Sequence, residues 1–507
     1  MAEKFYITTA IPYVNSRPHL GHALEFVQAD AAARWAKLAG REVYFLSGAD
    51  EHGAKIVRAA EAAGKPVEKF VDSNTAVFKK LIQELEISTS DFISTSEERH
   101  FTGAQALWRS LDEAGDIYKK SYRGLYCVGH EAFVTQKDLI EGKCADHGAE
   151  PEVIEEENYF FRLSKYGPKI QEAIESSRLK IYPEGRKNEI LSFIKEGLED
   201  VSFSRPSKDI SWGIPVPGDA SQTMYVWCDA LSNYITALGF GGADDSKFKK
   251  FWPADLQVIG KDILRFHAAI WPGMLLSAGL ELPKALLVHG FIHSGGQKMS
   301  KTLGNVVDPF EIVKRHGSDA VRYYLLREIP TFEDGDFTEE RFLEAYNSDL
   351  ANGLGNYVSR VAKMIENYFG GELSKSPDGI LKEVPIAGSL FSDFVGKQIW
   401  PAYRREMGGF NFKFALDSVW QALKEFDGYV QTYEPFKLIK ADEEKTKAVL
   451  WNLASGALTL AWMIEPFMPD TSKKIFDIFG VAKEDGKEWG GVKVSLKEPL
   501  FPRKDRT

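Results

Sequence analysis

The first fifty residues change period twice. Residues 4–10 form a short β-prone run, which Pro12, Asn15, Ser16 and Pro18 break into a loop. From His19 the apolar positions Leu24, Val27, Ala31 and Trp35 share one helical face, and Gly40 stops it. Residues 42–46 make a second strand, ending in Gly48-Ala49-Asp50-Glu51-His52-Gly53. Strand, helix, strand predicts an α/β fold with a Rossmann-like, doubly wound parallel sheet, whose ligands sit at the carboxyl ends of strands. Both polar loops fall at such ends.

Between 115 and 222 the pattern becomes short strands and turns, which reads as an insertion. Strand-like runs return at 225–229, 256–260 and 285–289. After Phe342 helical periodicity takes over, interrupted by a polar loop at 370–379. The expected organisation is a first half of the sheet domain over 1–114, a connective insertion over 115–222, and the second half over 223–284. A linking region over 285–345 and an all-α bundle over 346–507 follow. Neither internal repeats nor a low-complexity tail is visible.

Composition narrows this little. At about 150 residues per domain, 507 residues suggest three domains. A hydrophobic fraction of 44% excludes global disorder. The net charge of -10 argues against a protein held on nucleic acid by bulk positive charge, though it leaves room for local basic patches. Three cysteines, Cys127, Cys144 and Cys228, are too few for a secreted disulfide scaffold. The first ten residues carry no charged region followed by an apolar stretch, so a signal peptide is not expected. The most apolar segment, 448–468, contains Asn452, Ser455 and Glu465 and reads as a buried helix, not a membrane span. A soluble cytoplasmic protein is expected.

Two motifs carry chemistry. His19-Leu20-Gly21-His22 opens a helix, where backbone N–H groups and the helix dipole favour phosphate. Gly21 allows a nucleotide close to the backbone, and the two histidines can donate to phosphate oxygens. Alone the motif is weak, since two histidines three apart are as readily structural. Lys298-Met299-Ser300-Lys301-Thr302 follows Gly295-Gly296 on what reads as a mobile loop. Its lysines could close over a triphosphate, although a solvated basic turn is common. The first motif follows the first strand and the second follows a late one. That joint placement is hard to reach by chance.

At this point the chain resembles the class I aminoacyl-tRNA synthetases, and most closely the methionyl-tRNA synthetase family, over essentially its whole length. The resemblance rests on residues 9–15 leading into His19-Leu20-Gly21-His22, on Gly48-Ala49-Asp50-Glu51-His52-Gly53, and on Tyr225-Val226-Trp227-Cys228-Asp229-Ala230-Leu231. Gly260-Lys261-Asp262-Ile263, Phe266-His267 and Val288-His289-Gly290-Phe291 complete it. It implies ATP-dependent activation of methionine, with Mg²⁺, and transfer of the methionyl group to tRNA(Met), initiator tRNA included. Lys301, assisted by Lys298, would serve the transition state, and Ser300 would help bind ATP. His19 and His22 would contact phosphates, and Asp262 the ribose.

A lone aspartate in a turn is more often a cap, but the resemblance makes Asp50 the partner of the methionine ammonium. A thioether needs a soft aromatic pocket, and Tyr13, Trp227, Tyr234, Phe266 and His267 can build one. The resemblance adds Ala10, Ile11, Ala230, Leu231 and Ile263; many members have proline in place of Leu231. Cys228 reads as a small buried hydrophobe.

Cys127-Val128-Gly129-His130 and Cys144-Ala145-Asp146-His147 repeat one spacing. Two such pairs suit tetrahedral zinc. The family has a zinc knuckle here but commonly a cysteine at the position of His130, and some members have lost the metal. A knuckle held by packing alone is the alternative. In the helical region the resemblance assigns Asn356 and Arg360, one turn apart, to the anticodon, and Phe436 after Pro435 to stacking, where tryptophan is usual. The chain ends soon after the bundle, and a monomer is expected.

Other readings fit less well. The isoleucine, valine and leucine enzymes need a larger editing insertion, and a cysteine enzyme would place its zinc ligands in the amino-acid pocket. Smaller nucleotidyl transferases lack the helical region. A non-catalytic tRNA-binding protein on the same fold has no need of both motifs.

Overall fold

A computed structural model describes residues 3–127, 132–134, 139–144, 148–299, 305–483 and 489–505. The chain divides into two compact units. One comprises residues 1–29, 36–83 and 87–289, and the other residues 30–35, 84–86 and 290–507.

The first unit is built on six parallel strands: β1 (Lys4–Thr9), β2 (Glu42–Ala49), β3 (Asp91–Ser94), β4 (Lys180–Tyr182), β5 (Leu256–Gly260) and β6 (Ala285–His289), in the order β3-β2-β1-β5-β6-β4. The register aligns Tyr6 with Tyr44, Thr9 with Val258 and Gly260 with His289. β5 and β6 are buried at every residue, as expected for parallel strands covered on both faces. Helix α1 (Leu20–Leu38) follows β1, as its apolar spacing predicts. A second helix, α2 (Glu98–Glu113), follows β3, and the short α3 (Val226–Leu231) precedes β5.

The segment expected to be one insertion is interrupted. β4 pairs in parallel with β6, Ile181 lying opposite Leu286. Residues 180–182 therefore return to the central sheet from within 115–222. Three residues are too few for alternation to reveal a strand. What projects from the sheet is an antiparallel ladder of Ile117–Cys127 against Glu152–Phe161. Its base is fastened by Asp116, a buried carboxylate that accepts from Lys165 Nζ at 2.7 Å and Ser277 Oγ at 2.7 Å, and also from Tyr166 Oη. Arg205 forks onto Glu156 with two bonds of 2.6 Å.

The main part of the second unit begins at Gly290. Its helices include α4 (Asn356–Phe369), α5 (Phe412–Tyr433), α6 (Glu443–Ile464) and α7 (Pro469–Phe479). α6 starts on an Asp442 cap that accepts from the Lys445 N–H. Among the described residues it is the one helix long and apolar enough to cross a membrane, but it is mostly buried in the bundle. Tyr357 and Tyr403 donate to its carbonyls at Leu453 and Met463, 2.8 and 2.6 Å away. The polar loop at 370–379 contains a short strand, Glu372–Ser374, paired with Gly491–Lys493. Arg322 is fully buried and has no water to fall back on. Its guanidinium bonds the carbonyls of Leu85, Pro466 and Phe467 at 3.0, 3.0 and 2.7 Å and pairs with Asp30 at 2.7 Å.

Candidate active site

The loop after β1 and the end of β2 are zipped together. Asp50 N–H donates to the Pro12 carbonyl at 2.9 Å, and Val14 N–H donates to the Asp50 carbonyl at 3.2 Å, so Tyr13 and Asp50 form a parallel bridge. Ala10 and Ile11 lie in the same loop. Gly48 is required there, because a Cβ would stand 2.3 Å from the Ile93 carbonyl oxygen and 2.7 Å from Ile11 Cγ2. Asp50 is buried, and its Oδ1 accepts the His52 backbone N–H at 3.3 Å.

At the start of α1, His19 Nδ1 accepts from the Gly21 N–H at 3.0 Å. His22 Nδ1 accepts from the His19 N–H at 3.1 Å. This is a capping box made of imidazoles. A backbone N–H can only donate, so each Nδ1 lacks a proton, and each neutral ring carries its hydrogen on Nε2. Burial, with His19 and His289 nearby, pushes the His22 pKa well below the usual histidine value. The rings lie 4.0 Å apart. The motif thus presents neutral N–H donors beside a helix N-terminus. Gly21 has a second reason to be glycine: a Cβ would meet the His19 ring at 2.8 Å.

β5 ends in Gly260, and Asp262 folds back over it, with Oδ1 2.7 Å from where a Gly260 Cβ would be. The next turn, Phe266–Ile270, is π-helical, a local widening frequent at functional sites. It brings Phe266 against Trp227 of α3, ring centroids 3.6 Å apart and 11° from coplanar. Ile263 precedes it, half-buried. His267 Nδ1 donates to the Ile263 carbonyl at 3.0 Å, which leaves Nε2 to accept from Tyr234 Oη at 2.7 Å. Burial lowers the His267 pKa to about 4. Tyr234 and His267 thus make a neutral, buried pair, suited to a soft, uncharged neighbour. Ala230, Leu231 and Cys228 are buried on α3, and Cys228 packs as a hydrophobe.

Five groups, Glu25, His289, Asp229, His52 and His100, were given no role by the sequence. His289 Nε2 lies 3.0 Å from Glu25 Oε2, and burial raises the Glu25 carboxyl against the pull of His289. Asp229 sits between two imidazoles, His52 Nδ1 at 2.7 Å and His100 Nε2 at 2.6 Å. Although burial opposes ionisation, these rings hold its carboxyl at about 2. No local pattern announces such contacts, because the partners are far apart in the chain.

The lysine motif belongs to the second unit. Gly295 and Gly296 both have positive φ, 62° and 76°, and make a two-residue hairpin turn between Ile292–Ser294 and Gln297–Lys298. Lys298 is therefore on a strand opposite His293, and the expected loose loop is a tight turn at this point. The Lys298 side chain, and Ser300, Lys301 and Thr302, lie outside the described residues.

At the expected knuckle, Cys127 ends one strand and Cys144 lies on a short hairpin strand. Both are buried in a small cluster with Val134. The Gly148 N–H donates to the Cys144 carbonyl at 2.8 Å. His130 and His147 lie outside the described residues. Among the described residues no three histidine, cysteine or acidic side chains are grouped to hold a metal. The two buried thiols in one cluster are chemically suited to half of a zinc site.

Asn356 opens α4, exposed, one turn from Arg360. Arg360 is paired with Asp427 of α5 at 3.2 Å, a partner the sequence did not suggest. Phe436 is 46% exposed, unusual for so large an apolar ring.

Comparison with known proteins gives the family. The family described as tRNA synthetases class I (M) matches residues 5–147 and 133–362. A methionine–tRNA ligase of Caldanaerobacter subterraneus subsp. tengcongensis is 43% identical over 100% of this chain and 80% of its own length. One from Brucella suis biovar 1 is 41% identical over 99% of this chain and 98% of its own. The fold is similar to that of Mycobacterium tuberculosis methionyl-tRNA synthetase solved in complex with methionyl-adenylate, with a TM-score of 0.93, 36% identity, and coverage of 99% of this chain and 100% of that one. The chain therefore belongs to the methionine–tRNA ligase family of the class I aminoacyl-tRNA synthetases.

Proposed function

We propose that the chain joins methionine to ATP and then to tRNA(Met). The observation that carries this is the neutral Tyr234–His267 pair beside the Trp227–Phe266 stack, in a chain similar throughout to an enzyme solved with methionyl-adenylate. A methionine carboxylate oxygen attacks the α-phosphorus of ATP, the bond to the β-phosphate breaks, and pyrophosphate leaves. A hydroxyl of the terminal adenosine of tRNA then attacks the carbonyl carbon, and AMP leaves. Positioning and charge stabilisation suffice for both steps, with no protein nucleophile.

In this reading Asp50 receives the ammonium. Tyr13, Ala10, Ile11, Ala230, Leu231 and Ile263 shape the pocket. The Nε2–H groups of His19 and His22 donate to phosphate oxygens, and Asp262 takes the ribose hydroxyls. Lys298 and Lys301 offset charge on the leaving pyrophosphate, and the Ser300 hydroxyl donates to the nucleotide. Mg²⁺ accompanies ATP and offsets its phosphate charge. Cys127, His130, Cys144 and His147 would hold a structural zinc. Asn356, Arg360 and Phe436 would read and stack anticodon bases, of the initiator tRNA as well.

Amino-acid-dependent ATP–pyrophosphate exchange tests the reading directly. Exchange with methionine, and not with the other amino acids, is expected. Its absence with methionine overturns the proposal.

A further inference from the structure

We infer that Asp229 is a positioning residue for the amino-acid side of the site: through His52 and His100 it fixes the helix carrying Trp227 against the loop carrying Asp50. The inference rests on the proposed methionine activation and assigns a role to buried groups outside the pocket.

Three chain segments converge on this carboxylate. His52 follows β2, His100 lies in α2, and Asp229 lies in α3. Oδ2 takes His52 Nδ1 at 2.7 Å and Oδ1 takes His100 Nε2 at 2.6 Å, while His100 Nδ1 meets Thr236 Oγ1 at 2.8 Å. All four side chains are buried. On α3, Asp229 is two residues from Trp227, about 200° round the helix axis. The carboxylate therefore grips the back of the helix, while the indole stacks on Phe266 at the front. The same residue that Asp229 holds by its ring, His52, donates its backbone N–H to Asp50 Oδ1 at 3.3 Å. Phe101 and Trp212 pack edge-on against the His52 ring, at 5.5 and 5.7 Å, and leave it little freedom to turn.

An apolar filling of this space would be as stable, since burying a carboxylate is costly and its pairs often only break even. What apolar contacts lack is direction. Two N–H···O bonds at opposite oxygens set both the rotation of α3 and the placement of the loop after β2. The spacing between the ammonium partner and the indole follows from them.

The test is pyrophosphate exchange on the full chain with a graded series. Thr236→Val removes only the last hydroxyl. His100→Phe keeps a ring and removes both nitrogens, whereas His100→Gln can restore a donor toward Asp229. Asp229→Asn turns one oxygen into an amide that cannot accept. Methionine KM is expected to rise in the order Thr236→Val, His100→Phe, Asp229→Asn, reaching about tenfold, with kcat within about twofold and ATP KM unchanged. His100→Gln should lie near the unaltered chain, and the tryptophan fluorescence change on adding methionine should shrink in step with KM. Equal rises in both KM values, or a fall in kcat alone, would mean general loosening and overturn the inference. Should Asp229→Asn fail to fold, wild-type methionine KM in both Thr236→Val and His100→Phe overturns it as well. A lack of methionine-dependent exchange in the unaltered chain would strike the proposed function instead.

Discussion

At the start of α1 two imidazoles three residues apart cap the backbone, His19 taking the Gly21 N–H and His22 the His19 N–H, with bonds of 3.0 and 3.1 Å that never leave one turn of helix. Around Asp229 two imidazoles arrive from residues 129 and 177 positions away and spend their N–H groups on a single carboxylate. Under the proposed function, the first pair donates its Nε2–H groups to the phosphates of ATP. The second keeps nothing for a ligand from the bonds that define it. The same side chain serves as a presented donor when its partner is local, and as a rivet when its partner is distant.

The difference is broken most severely at the rivet. Asp229→Ala leaves two buried imidazole donors without an acceptor, at about 1–3 kcal/mol each. A loss of several kcal/mol in urea denaturation is expected, and a loss below about 1 kcal/mol would show the contact to be incidental.

Acid titration sharpens the contrast next. A histidine whose folded pKa is depressed takes up its proton more readily unfolded, so stability is full above the unfolded value near 6.5 and declines as pH falls below it. His267, held at about 4 by burial, should cost about 3 kcal/mol between pH 6.5 and 4, and His22 adds in the same direction. Asp229 works the other way. Its stabilisation is complete above the usual aspartate value and is lost only as pH falls through about 2. The acid arm above pH 4 therefore belongs to the histidines of depressed pKa, His267 and His22 here and His316, which burial also lowers, in the second unit. Replacing His267 by Gln should flatten it, and an unchanged arm, read from urea midpoints across pH, would contradict this assignment.

Activity separates the two functions of the helix start. Asparagine is a good N-cap but has no imidazole Nε2–H. His19→Asn should keep the thermal midpoint while lowering the exchange rate by on the order of 10²-fold. A matching fall in stability would mean that the ring serves the helix alone.

The same contrast explains what could be read from the chain before its fold. His19-Leu20-Gly21-His22 and its helix were legible because capping and apolar spacing are local. The strands 4–9 and 256–260 were legible because their runs are long enough to stand out. Strand 180–182 was hidden by its brevity and Asp229 by the distance to its partners. Arg360 was placed on the right helix but without Asp427, which comes from another helix altogether. Pairings between distant polar groups are made by tertiary structure, and neither period nor propensity encodes them.

The smallest expected effect on exchange is the most informative about the motif itself. Gly21→Ala gains about 0.5–1 kcal/mol of helix propensity. Its Cβ also pushes on the His19 ring at 2.8 and 3.0 Å, endangering a cap worth about 1 kcal/mol. The net change should stay within about 1 kcal/mol, while exchange falls about tenfold as the ring's Nε2–H is turned aside. Two causes of that fall can be told apart by combining it with His19→Asn, which removes the ring. If the clash with His19 is the whole reason for glycine, the double variant is no slower than His19→Asn. If the nucleotide itself must approach the Gly21 backbone, the double variant loses a further increment, and the coupling energy from the four exchange rates measures how much of the motif's glycine serves the histidine and how much serves ATP.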